Sequence, residues 1–350
     1  MKKNIFSLLA SLLILSVVLA GCGGSEEVSE SKPTKDKVDK VSVALLKLAG
    51  GAPLFIASEK GFFEEENIEV EYEWFDASNP VNVAVASNKV DVGAAGLTAD
   101  LYNMVAAGQK VSIIADKGKE VKGYPPVTAV MIHKDSPIQS IEDLKGKKVG
   151  VTTIGSAGHY SIGKILENHN MSLKDIELVP MNTTAALMEA LKGEQLDSVL
   201  LNSSNIKIVE NEGYGKMLVS VADEMNYQST ALFASPEFIK NKDVVVRFLR
   251  AYAKGTQYYH DAILTKEGDK LVKGENYDEV VQITAKYTGN PEEIITNSFP
   301  YIEADGTLTV DDIETQIKWY TKEKLLNKEL NVDDIVNTEF LDEALKEEGK

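Results

Sequence analysis

Two strand-like stretches of this chain recur at one fixed spacing. Val43 and Val149 lie 106 residues apart, and so do Asp91 and Asp197. Around each pair the chain alternates short apolar runs with amphipathic stretches. In the first copy VSVALLKL (41–48) reads as a buried strand, PLFIASEKGFF (53–63) as a helix opened by Pro53, and IEVEYEWF (68–75) as a strand alternating apolar and polar residues. NPVNVAVASN (79–88) then predicts a helix with Asn79 as N-cap and Pro80 at its first position, followed by a short strand in VDVGAA (90–95). Thr98 caps a helix that stops at Gly108, and KVSIIAD (110–116) supplies a further strand. The second copy runs KKVGVTT, SAGHYSIGKILENHN, DIELVPM, TTAALMEALKG and LDSVLLN between 147 and 202. Such a strand-helix alternation demands a largely parallel sheet covered by helices, and its repetition demands two similar α/β lobes.

Two further stretches link the lobes. PPVTAVMIHKDSP (125–137) offers a strand passing from the first lobe to the second, and STALFASPEF (229–238) offers one that returns. The remainder is mainly helical, in 241–263, 276–289 and 311–326, and is expected to buttress the first lobe. The expected organisation is therefore 41–126 with 231–350 as lobe 1 and 127–230 as lobe 2.

The N-terminal stretch has the pattern of an export signal. Lys2 and Lys3 precede an apolar run from Ile5 to Val18, shorter than the ~20 residues a membrane span needs. It ends at Leu19-Ala20-Gly21-Cys22, which resembles the lipobox of a bacterial lipoprotein. Residues 1–21 are read as a lipoprotein signal peptide, Cys22 as the lipidated (palmitate-bearing) residue, and 22–40, polar and rich in Ser, Glu and Lys, as a flexible tether. The protein is expected on the extracytoplasmic face of the cell membrane, held by its lipid. Cys22 is the chain's single cysteine, so the folded part has no thiol for a disulfide, a nucleophile or a thiolate metal site. Removing the two lysines with the signal takes the formal charge from −17 to −19, which disfavours nucleic acid.

VGVTTIGSAGHYSIGK (149–164) bears the densest concentration of glycine, hydroxyl and basic residues. As a phosphate loop it fails at Ile165, where a Ser or Thr should bind magnesium. As a serine-nucleophile elbow it fails at Ile154, where the first glycine should be. What fits is a helix N-terminus that grips a ligand. A strand ends at Thr153, Gly155 permits close approach, Ser156 caps the helix, and the amides of Ala157 to His159 stay free. The equivalent strand-to-helix loops add Gly51 and Ala52, Asp76, Thr98, and Asn202 and Ser203. Under the 106-residue offset Thr98 and Ser203 stand one position apart and are expected to face each other across a cleft. Phe55, Trp74, Tyr124 and Tyr160 could line its apolar side, and Asp76 would favour an amine-bearing solute. Arg247 and Arg250, the only arginines, are expected on a solvated helix face. An anion would then rely on helix N-termini, hydroxyls and a lysine. None of the four histidines forms a close metal-ligand pair, and neither metal nor cofactor is expected.

Several of these phrases resemble a known family. APLFIASEKGFFEEENIEVE (52–71), VDVGAAGLTAD (90–100), SIEDLKGKKVGV (140–151), LKGEQLDSVLLN (191–202) and ASPEFIKNKDVVVRFLRAYAKG (234–255) are similar to substrate-binding proteins of ABC importers of the nitrate/sulfonate/taurine type, a group that includes binders of thiamine-pyrimidine precursors. The resemblance implies a two-lobe flytrap of the type II periplasmic-binding-protein fold with two crossing strands. It also implies a monomer that closes on a small polar or anionic solute and delivers it to an ABC permease and its ATPase subunits. A thiamine-pyrimidine, flavin or aromatic-acid ligand, an enzyme of related fold, and a sensor lipoprotein are the alternatives. The related enzymes use a cysteine-rich signature that this chain lacks.

Overall fold

A computed structural model describes residues 38–347. The signal peptide, Cys22 and all but the last residues of the tether lie outside them. The first strand, β1 (Asp39–Leu45), begins two residues before Val41, so the tether as read from sequence ends slightly late.

The first lobe runs β1, α1 (Ala52–Glu59), α2 (Phe62–Glu65), β2 (Ile68–Trp74), α3 (Ser78–Ala86), β3 (Val92–Gly96), α4 (Ala99–Ala106) and β4 (Ser112–Glu120). What reads as one helix over 53–63 is two, because Gly61 adopts a left-handed φ of 75° between α1 and α2. The second lobe runs β5 (Thr128–His133), β6 (Lys148–Val151), α5 (Ala157–Asn168), β7 (Glu177–Pro180), α6 (Thr184–Lys192), β8 (Ser198–Asn202), α7 (Ser203–Asn211), β9 (Gly215–Ser220) and α8 (Val221–Glu224). Strand β10 (Tyr227–Ala234) then returns to the first lobe. The rest comprises α9 (Lys242–Ile263), the hairpin β11 (Lys266–Glu267) and β12 (Lys270–Leu271), α10 (Tyr277–Thr288), α11 (Glu292–Ile295), α12 (Val310–Lys322) and α13 (Glu339–Glu347).

Each lobe is built on a five-stranded sheet. The orders are β2-β1-β3-β10-β4 and β7-β6-β8-β5-β9, so the strand that follows each crossing, β10 in the first sheet and β5 in the second, lies inside the sheet, antiparallel to its neighbours. The central parallel strands bury both faces: Val43, Leu45, Val92 and Ala94 on one side of the first sheet and Ala44 and Ala95 on the other are essentially inaccessible, as are Val199, Leu200 and Leu201 in the second.

Helices α9, α10 and α13 pack on the first lobe around α1 and α2. Arg247 and Arg250 fasten this layer and do not lie on a solvated face. Arg247 pairs with Asp39 at 2.6 Å and Asp243 at 2.8 Å, and donates to the Glu66 carbonyl at 2.6 Å. Arg250 pairs with Glu66 at 2.6 Å and with Glu347.

Helix α12 does something different. It touches β10 and α4 of the first lobe and α5 of the second, and its Trp319 and Tyr320 join Tyr102, Tyr160 and Tyr227 in an aromatic cluster. The apolar core beneath is continuous from Val85 and Leu97 to Val149 and Ile162, spanning both lobes. Gly163 makes the close approach possible, since a Cβ there would stand 2.2 Å from the Trp319 ring. Replacing a mid-helix glycine by alanine ordinarily stabilises by up to ~1 kcal/mol. Gly163→Ala should instead destabilise by about 1–3 kcal/mol through overpacking, measured by denaturant unfolding; a gain in stability would show that Trp319 is not seated on α5.

Candidate functional site

A cavity of about 360 Å³ lies between the lobes at the C-terminal ends of their parallel strands. Five helices, each eight residues or longer, open their N-termini on it. Ala77 to Pro80 bring α3, Thr98 brings α4, Ser156 to Gly158 bring α5, Asn182 and Thr184 bring α6, and Asn202 brings α7. Unpaired amide groups and aligned peptide dipoles at each terminus make this a region of positive potential. At α4 and α5 the caps are the ones the sequence predicts, and Asn202, expected only as a loop residue, caps α7. Thr98 Oγ1 accepts from Leu101 N at 3.4 Å, Ser156 Oγ from His159 N at 3.2 Å, and Asn202 Oδ1 from Asn205 N at 3.3 Å. Helix α3 starts two residues earlier than expected, at Ser78 behind Ala77. Asn79 is therefore inside it, and its amide reaches Asp100 instead of capping.

Among the residues singled out from sequence, Asp76, Thr98, Thr153, Ser156, Ala157 and Asn202 line the cavity together. Six others do not. Gly51 packs against Phe55, whose ring would be 2.5 Å from an added Cβ, and Ala52 is buried at the start of α1. Tyr124 lies against Tyr301, with the Lys266 ammonium 3.7 Å above its ring. Ser203 does not face Thr98; its hydroxyl donates to the Ser298 carbonyl at 3.0 Å. Gly155 and His159 sit directly behind the wall. His159 is buried, its ring edge-on to Trp319, and its Nδ1 accepts from Gly155 N at 2.9 Å.

No aromatic ring lines the cavity among the described residues. Phe55 stacks on Tyr287 at 4.7 Å beside Tyr72 and Trp74, and Tyr160 belongs to the α12 cluster. The apolar lining is aliphatic: Leu46, Leu48, Leu200, Leu201 and several alanines.

The decisive residue escaped sequence reading. Lys117 on β4 lines the cavity, is 6% exposed, and has neither a hydrogen-bonding nor an ion-pairing partner among the described residues. A register shift puts it there. Thr230 pairs with Gly118 and Ala231 with Asp116, so Lys117 is the extra residue of a β-bulge, and Ser229 is skipped in the same way between Gln228 and Thr230. Bulges re-aim side chains, and both bulged residues line the cavity. Burial pushes the Lys117 ammonium down to about 8, with Asp116 pulling weakly the other way. Asp116 itself is held by Gly118 N at 2.8 Å, Glu303 N at 2.8 Å and Gln228 Nε2 at 2.6 Å, and burial raises it to about 6. Hydroxyls of Ser78, Thr128, Thr152, Ser229 and Thr230 complete the polar lining. An unpaired buried ammonium amid helix N-termini suits an anion.

Burial also lowers His159 from 6.5 to about 4. The folded protein holds it neutral while the unfolded chain protonates it near 6.5, so its contribution to stability is full above pH 6.5 and is lost as pH falls towards 4. His159→Gln should flatten the fall in melting temperature across that window; an unchanged slope would place the acid sensitivity elsewhere.

A family model described as NMT1/THI5 like matches residues 50–262. The chain is 25% identical to the putative aliphatic sulfonates-binding protein of Bacillus subtilis over 99% of its length and 98% of the relative's. It is 27% identical to the 4-amino-5-hydroxymethyl-2-methylpyrimidine phosphate synthase of Aspergillus parasiticus, over 59% of this chain and 62% of that enzyme. Its structure superposes on the alkanesulfonate-binding protein SsuA of Xanthomonas axonopodis pv. citri, bound to MOPS, with a TM-score of 0.69 and 15% identity, over 86% of this chain and 99% of that one. The likeness shows the two-lobe periplasmic-binding-protein fold.

Proposed function

The chain belongs to the NMT1/THI5-like family, and we propose that it is the solute-binding component of an ABC importer, capturing a small aliphatic organic anion of the sulfonate type between its lobes. The observation that carries this reading is Lys117, a buried ammonium without a protein partner in a cavity that five helix N-termini face. A bound anion supplies the missing counter-charge. Two or three charge-assisted bonds to Lys117 and to amides such as those of α5, at ~1.5–3 kcal/mol each, reach the ~8 kcal/mol of micromolar binding when apolar burial against Leu46, Leu48 and Leu200 offsets the cost of association.

The lining favours an aliphatic over a ring-bearing solute, since it gives a pyrimidine, flavin or aromatic acid no ring to stack on. Asp76, exposed at the rim, would add a partner for an amine at the far end of a zwitterion. Similarity to a synthase does not outweigh these features. Ser156 Oγ accepts from His159 N in the α5 cap, and His159 Nδ1 accepts from the Gly155 amide, so that ring nitrogen is not available as a base toward Ser156. On this reading Cys22 anchors the protein outside the cytoplasm, the tether lets it reach the permease, and the loaded protein hands its solute over there.

Thermal-shift measurements with ethanesulfonate, butanesulfonate, taurine, nitrate and a hydroxymethylpyrimidine test the reading. Sulfonates at about 100 times Kd should stabilise by ~2.7 kcal/mol. Lys117→Met should abolish that shift while leaving the empty protein at least as stable, because it removes a buried unpaired charge. Stabilisation by the pyrimidine alone, or a full sulfonate shift in the variant, would overturn the assignment.

Lys117 binds an anion only when protonated. Affinity should hold steady below pH 8 and weaken about tenfold per unit above it; calorimetry across pH 7 to ~10 reads this directly, and a flat profile would remove Lys117 from the site.

A further inference from the structure

Ala99 is the first residue of α4, so its N–H has no acceptor within the helix. It donates across the lobes to the Gly155 carbonyl at 2.9 Å. Gly155 reaches that position through a left-handed φ of 83°, and a Cβ there would stand 2.8 Å from the Ala99 Cβ. Two supports hold the loop. The Gly155 amide donates to His159 Nδ1 at 2.9 Å, and Tyr320 donates its hydroxyl hydrogen to the Ser156 carbonyl at 3.2 Å.

The bond sits in the cavity wall. Gly96 and Thr98 flank it on one side and Thr153, Ser156 and Ala157 on the other, all five lining the cavity. We propose that the Ala99–Gly155 backbone bond between the lobes is a closure contact that fixes the length of the cavity, making these two residues determinants of solute size. A glycine is required at 155 because any side chain would hold the lobes apart, and a free amide is required at 99 because it is the donor. A short anion leaves the bond intact. A long one must break it to fit.

The proposal rests on the anion-binding reading for its choice of probes, but the bond itself can be tested without a ligand. Because a first-turn helix amide has no acceptor within its own helix, slow hydrogen exchange of the buried Ala99 amide in the ligand-free protein, compared with the Gly155 variant, reports this contact. Gly155→Ala should return that amide to its unprotected rate. Ala99→Pro removes the donor at a position where proline suits a helix, with Ala99→Ser, which keeps the amide, as control.

Calorimetry with n-alkanesulfonates from about two to about eight carbons should show the unaltered protein and Ala99→Ser preferring short chains. Ala99→Pro should bind the shortest about tenfold more weakly and shift its optimum to longer ones. An Ala99 amide that exchanges freely, or a chain-length profile identical in Ala99→Pro and the unaltered protein, would overturn the closure contact. A protected Ala99 amide in a protein that binds no alkanesulfonate would support the contact and overturn the ligand reading instead.

Discussion

Everything at the cleft depends on where β10 enters the first sheet. A chain that leaves a lobe after β4 and comes back after β9 must find a place for its returning strand, and here it lies between β3 and β4, antiparallel to both. Its pairing with β3 is regular from Gly96 to Val92, while its pairing with β4 slips at successive points. Those slips turn Lys117 and Ser229 into the cavity. They also leave Gln228 to tie the strands together: its side-chain amide donates to Asp116 and to the Thr230 carbonyl at 2.8 Å, and its carbonyl oxygen accepts from Thr309 N at 3.1 Å. The same strand thus carries the crossing, shapes the site and docks the segment leading into α12.

Burying an ammonium without a partner is costly, and the chain tolerates it where it serves binding. The surrounding field is arranged for an anion and not for the lysine itself, since helix N-termini repel a cation. The chain as a whole carries a formal charge of −17. Its surface charge opposes the charge its cleft is built to hold, so selectivity must come from short-range contacts inside a closed cavity, where screening is weak.

The sequence showed the architecture plainly because hydrophobic periodicity and caps are local signals. The strands around Val43 and Val149, the caps Thr98 and Ser156, and the two crossing strands are each read from residues within a few positions of one another. Arg247 and Arg250 defied their helical pattern because their partners Asp39, Glu66 and Glu347 come from distant segments. Lys117 was invisible for the same kind of reason: it stands in an apolar strand read only as far as Asp116, and a bulge is a property of two strands in register, not of one. Gly155 was legible as a special position, but the partner of its carbonyl, the Ala99 amide of the opposite lobe, was not.

The charge state of Lys117 decides whether the cleft can hold an anion, and a titration of its side-chain amine by NMR, with and without an alkanesulfonate, reads it directly. In the empty protein the amine should titrate near 8, and the anion should move it upward by more than about one unit. A Lys117 amine that titrates at the ordinary 10.5 in both states would contradict the account, because it would place the ammonium in water and the anion elsewhere.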